Sequence, residues 1–156
     1  MKRLVCGALL LLLFGTLAAG QREKKRVMPT LIVNAQYVYV TTYEGSAPLP
    51  QVSVENLRAI AIVENAIKSW GRYRVTQRAA NADIIILVNE GRPYASSGGG
   101  SFEDELAIYD ARDGLNSSPL WRGLMVDGLE GNAPLVQQFR TEVEEAARQL
   151  PQPKGA

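Results

Sequence analysis

Histidine is absent from the chain, and cysteine occurs once, at Cys6. The first absence removes the imidazole that a Ser-His-Asp or Cys-His mechanism uses as its general base. The second leaves no thiol nucleophile once the N-terminal segment is gone. With neither imidazole nor thiolate, a zinc or copper site lacks its usual donors, and no cofactor or metal is expected. A mature chain without cysteine has no disulfide either, so an exported domain must hold itself together by its core alone. Charge of one sign is also missing. The net charge is +1, and loss of Lys2 and Arg3 with an N-terminal segment would leave fifteen basic against sixteen acidic residues, a net −1. That balance gives no electrostatic basis for binding nucleic acid.

Long apolar runs are equally scarce: there is one, Leu4 to Ala19. Lys2 and Arg3 precede it and Ala18-Ala19-Gly20 closes it, the layout of a secretory signal peptide over residues 1–20 with cleavage after Gly20. Roughly 20 apolar residues are needed to span a bilayer, so the run is short for a permanent anchor. The basic stretch Arg22-Glu23-Lys24-Lys25-Arg26 just beyond it keeps an inner-membrane anchor through residues 4–19 as the alternative. Cys6 lies before the run rather than at its end, so no lipoprotein is expected. Residues 21–29 then read as a solvated basic tether and 151–156 as a frayed tail. Between them, residues 30–150 are long enough for one domain, and 46% apolar with 21% charged residues suits a chain with a buried core.

What is present is alternation and helical spacing. Thr30 to Tyr43 is rich in Val, Ile, Thr and Tyr and predicts one long strand, or two broken near Asn34, with Tyr37, Tyr39, Thr41 and Tyr43 on one face. Gly45 to Pro50 predicts a loop. Ser53 can cap a helix carrying Leu57, Ile60, Val63 or Glu64, Ile67 and Trp70 on its buried stripe, with Gly71 as its left-handed stop. Arg72 to Thr76 predicts a short edge strand. Ala82 to Asn89 is an apolar run that predicts the central strand. Gly91 to Ser101 predicts a long flexible loop, and Leu106 to Asp110 and Leu120 to Val126 form an antiparallel hairpin around the Asp113-Gly114 turn. Pro134 opens a second helix with a stripe of Leu135, Phe139, Val143, Ala146 or Ala147 and Leu150.

Two helices can cover one face of a sheet of about five strands. The predicted fold is α/β (α+β), a two-layer sandwich with both helices on one face of a mixed sheet. The first strand and the Ala82 to Asn89 strand are expected to be parallel neighbours, because a helix connects them.

Several stretches together, Trp-Gly-Arg-Tyr-Arg-Val, Asn-Ala-Asp-Ile-Ile-Ile-Leu-Val and Leu-Ala-Ile-Tyr-Asp-Ala-Arg-Asp-Gly followed by Ser-Pro-Leu-Trp-Arg-Gly, resemble a family of small exported bacterial envelope domains of unknown function. More distantly, the pattern is similar to the α/β domains of the curli-secretion lipoprotein and of Tol-associated periplasmic proteins. The resemblance covers Thr30 to Leu150. It implies an envelope location and no catalytic residue.

Two chemical features invite a test. The glycine cluster Gly98 to Gly100 lacks the Lys and Ser/Thr of a phosphate-binding loop, and acidic residues follow it. Those residues, Glu103, Asp104 and Glu105, have no EF-hand spacing and read as part of a solvated loop rather than a Ca²⁺ site. Arg122 is expected to pair with Asp110 or Asp113 across the hairpin. The binding candidates are aromatic: Tyr37, Tyr39, Tyr43, Tyr109 and Trp121, residues with an apolar body and a polar tip. Cross-strand packing is the structural alternative for them. The leading expectation is a non-enzymatic, periplasmic or secreted domain that binds an unknown protein or envelope partner. The alternatives are an oligomerising assembly component, and a small-ligand carrier or carboxylate-dependent hydrolase. Contact with a membrane is expected only if the signal segment is retained.

Overall fold

The computed structural model describes residues 27–43, 52–94 and 101–150. The signal segment, most of the tether, the Gly45 to Pro50 loop, the centre of the glycine-rich loop and the tail lie outside these residues. In order, the elements are α1 (Thr30–Asn34), β1 (Tyr37–Thr41), α2 (Val54–Trp70), β2 (Arg74–Val75), a 3-10 turn (Ala79–Asn81), β3 (Ile84–Tyr94), β4 (Ser101–Asp110), β5 (Trp121–Met125) and α3 (Pro134–Gln149). The strands form one mixed sheet in the order β2-β1-β3-β4-β5. β1 runs parallel to β2 and β3, and β4 is antiparallel to both β3 and β5. The helices lie on one face, giving a two-layer α/β sandwich. None of the described helices is long and apolar enough to cross a membrane.

Local chemistry explains the helices. Ser53 Oγ accepts the Asn56 N–H at 3.2 Å, and Gly71 closes α2 at φ +73° with its N–H on the Ile67 carbonyl. Of the expected α2 stripe, Val63 and Ile67 are buried and Ile60 and Trp70 pack against the core, but the buried side is turned toward Asn56 and Ala59 and leaves Leu57 55% exposed. Asn56 turns inward because its Oδ1 accepts the Glu90 N–H at 2.8 Å, a long-range bond that helical spacing cannot reveal. Pro134 opens α3, and Leu135, Val136, Phe139 and Val143 bury its inner side.

Two expectations about the chain's path are corrected. Thr30 to Asn34 is a helical turn, not a strand. Its β-branched residues favour extended backbone locally, but Ile32 and Val33 are buried in the main core. Its last carbonyls are capped from afar: Tyr73 Oη donates to Ile32 O at 2.9 Å, and Arg72 Nη2 donates to Val33 O. The strands around the glycine-rich loop are also longer than expected. β3 continues to Tyr94 through a bulge between Asn89 and Arg92, and β4 starts at Ser101. Gly91 holds the bulge at φ +71°, and its N–H is accepted by Asp104 Oδ1 at 3.0 Å.

The main core fills the space between sheet and helices. Phe139 packs against Trp121 with ring centroids 5.1 Å apart, and Trp70 and Tyr73 extend the aromatic cluster. Met28, from the segment that reads as tether, is buried in it. A Cβ added to Gly123 would lie 2.7 Å from Trp121 Cη2 and 2.8 Å from Leu135 Cδ2. Gly123 is therefore where β5 lets α3 approach.

Candidate binding face

Strand register assigns the central side chains of the sheet to one face or the other. Val38, Val40, Ile84, Ile86, Leu106, Ile108 and Trp121 point under the helices. Tyr37, Tyr39, Ile85, Leu87, Ala107, Tyr109, Glu105, Arg122 and Leu124 alternate to the other face. None of the described helices lies on that second face. Ile85, Leu87, Ala107 and Tyr109 are buried there as a separate apolar cluster, flanked by Tyr39 and by Ala79 and Leu115 from adjoining turns.

The tyrosines are built into this face in two ways. Tyr43, just past β1, and Tyr109 of β4 join hydroxyl to hydroxyl at 2.7 Å. Since β3 separates β1 from β4, this contact arches over β3, across a gap of about 10 Å between the outer strands. Tyr109 is the enclosed partner, 3% exposed, whereas Tyr43 is 43% exposed and Tyr37 39%. Burial holds the Tyr109 hydroxyl above the ordinary tyrosine range, and the bond to Tyr43 adds to the effect. Trp121 does not belong to this group. It is 2% exposed on the helix face, and its Nε1 donates to Glu142 Oε2 at 2.7 Å.

Beside the arch, Arg122 Nε contacts Glu105 Oε1 at 2.6 Å. The expected partners, Asp110 and Asp113, are not used. Arg122 stands opposite Ala107, so Glu105 is its diagonal neighbour on the same face, while Asp110 alternates to the other. Asp110 instead accepts from the backbone and guanidinium of Arg112, which holds its carboxyl below the usual range. The acidic triplet is likewise no solvated loop. It lies in β4, with Glu105 buried and Asp104 accepting N–H groups of Gly91 and Leu129. Among the described residues, no three His, Cys, Asp or Glu side chains are grouped to hold a metal ion.

No family model matches the chain, and no curated protein matches it. Among solved structures it is similar to two PelC dodecamers from Paraburkholderia phytofirmans, one of them a point variant. The variant is 12% identical and the other 16%, covering 74% and 75% of this chain and 82% and 89% of PelC, each with a TM-score of 0.32. It is also similar to the solution NMR structure of uncharacterized lipoprotein B from Nitrosomonas europaea. That likeness has 14% identity, covers 74% of this chain and 79% of the other, and has a TM-score of 0.29.

The Ala-Asp and Trp-Arg-Gly stretches acquire plain roles. Asp83 Oδ2 accepts the N–H groups of Gln36 and Tyr37 at 2.8 and 2.9 Å, tying the start of β3 to that of β1. Those bonds lower the Asp83 pKa, Tyr37 contributing most. Trp121 fills the core, Arg122 braces the opposite face, and Gly123 admits α3. Sequence reading missed Glu105 and Leu124 as members of the face. Their signal was there, in the same two-residue alternation that placed Tyr109 and Arg122.

Proposed function

We propose that the protein is an exported, non-enzymatic envelope domain that binds a protein or another envelope component through the helix-free face of its sheet. The observation that carries this reading is the tyrosine arch. It fixes the partly exposed Tyr43 over an apolar floor on the face opposite the helices, with Tyr37 exposed at the other end of β1. Aromatic residues with polar tips, held in place before contact, suit recognition because little side-chain entropy is lost on binding. The chain's composition supports the same reading: with no histidine, and its one cysteine in the signal segment, the usual base and nucleophile pairs are lacking.

Photocrosslinking in cells tests it. A benzophenone side chain at position 37 or 43 should give a discrete adduct in the envelope fraction. The same group at Lys68 or Thr141, on the outer helical surface, should give none. Adducts only from the helical positions would reject the face. Cytoplasmic fractionation of the full chain would reject export, and turnover of glycan or ester substrates by purified protein would reject the non-enzymatic reading.

A further inference from the structure

β5 is an edge strand: among the described residues only β4 pairs with it. Its five residues pair with β4 in unbroken register, without bulge, proline or lysine, the devices that commonly protect such an edge. The charge it does carry, on Arg122, is drawn inward over β4 by Glu105. Leu124 and, just past the strand, Val126 remain exposed at this edge.

Alongside lies a groove of about 850 Å³ between the outer side of β5 and the flank of α3. Its α3 wall presents Gln138, Glu142, Glu145 and Gln149, one helical stripe, and its apolar lining includes Met28, Val33 and Leu150. Glu142, which accepts from Trp121 and Gln138, and Glu145 make the wall acidic, and among the described lining residues the basic one, Arg122, is engaged with Glu105. An unprotected strand edge beside a helical wall provides backbone donors and acceptors on one side and side-chain contacts on the other. That combination is used to capture an extended peptide by strand addition.

We propose that this groove binds an extended polypeptide segment of a partner protein. The segment adds to β5 as a sixth strand and places a lysine or arginine against Glu142 and Glu145. Charge complementarity selects the basic segment: an acidic one would meet two like charges on α3. The site shares Arg122 and Leu124 with the helix-free face but lies at the sheet's edge, away from the tyrosine arch, and can fail or hold independently of it.

The test uses a fluorescein-labelled eight-residue peptide of alternating Val and Thr with one central Lys. Two twins accompany it: one with Glu for the Lys, one with a central Pro that removes a ladder N–H. Polarisation should show the Lys peptide binding with a Kd of about 100 µM or tighter. Binding should be about three- to fivefold weaker for the Glu twin and for the Glu145→Lys variant, and the Pro twin should not bind. Amide exchange should slow in β5 when the Lys peptide is bound. Equal binding of all three peptides, or none, overturns the proposal. So does concentration-dependent dimerisation that protects β5, which would make a second copy the occupant. Protection of β5 that vanishes on deleting residues 21–26 would assign the edge to the chain's own basic segment and equally overturn it.

Discussion

Trp121 and Arg122 are neighbours in sequence and belong to opposite worlds. On Trp121's side, the ring is wedged against Phe139, and the glycine two positions on has no room for a methyl group. On Arg122's side, long polar-tipped groups reach across strands to meet: guanidinium to carboxylate, hydroxyl to hydroxyl. One face is stabilised by close contact of apolar groups, the other by reach over a thin apolar floor. The first tolerates almost no added volume. The second should tolerate changes of size while being sensitive to loss of a polar tip.

That contrast can be broken. The largest effect expected is from Gly123→Ala, whose methyl must displace both Trp121 and Leu135, at about 1–3 kcal/mol of unfolding free energy in urea titrations. Arg122→Ala should come next, at about 1–2 kcal/mol, because it takes the guanidinium from a nearly inaccessible Glu105 carboxylate while the arginine itself is partly exposed. Adding Glu105→Gln should recover part of that loss. If Arg122→Ala cost more than Gly123→Ala, the ranking of the two faces would be inverted. The smallest effect is Tyr109→Phe, about 0.5–1.5 kcal/mol near neutral pH. It should also show in alkali. Tyr109 and Tyr73, the latter pushed up to about 12, hold their protons more tightly folded than unfolded. Their contribution is therefore complete below about pH 10 and is lost as pH rises further. Urea titrations at about pH 8 and about pH 11 should show a shallower loss in Tyr109→Phe and Tyr73→Phe than in the parent.

Much of this architecture is legible in the residues. Ser53, Gly71 and Pro134 mark helix ends by chemistry that acts within one turn, and the Ile-Ile-Ile-Leu-Val run reads as a central strand. What escaped reading depends on partners far along the chain. Asp104 looks solvated until Gly91 and Leu129 bring their N–H groups to it, and Asn56 looks like a surface residue until Glu90 arrives. The face was legible only as an alternation. Tyr109 and Trp121 look alike in sequence, yet register sends one to each side. Which face stays free of helices is decided by where α2 and α3 pack.

The short helix α1 carries a consequence for the order of events. Five residues cannot stand as a helix alone. The carbonyls at its end are closed by Arg72 and Tyr73, the latter 41 positions further on. A chain emerging amino end first must therefore expose the whole of α2 and the residues beyond it before α1 can settle. The turn that opens the described residues is thus among the last parts to lock.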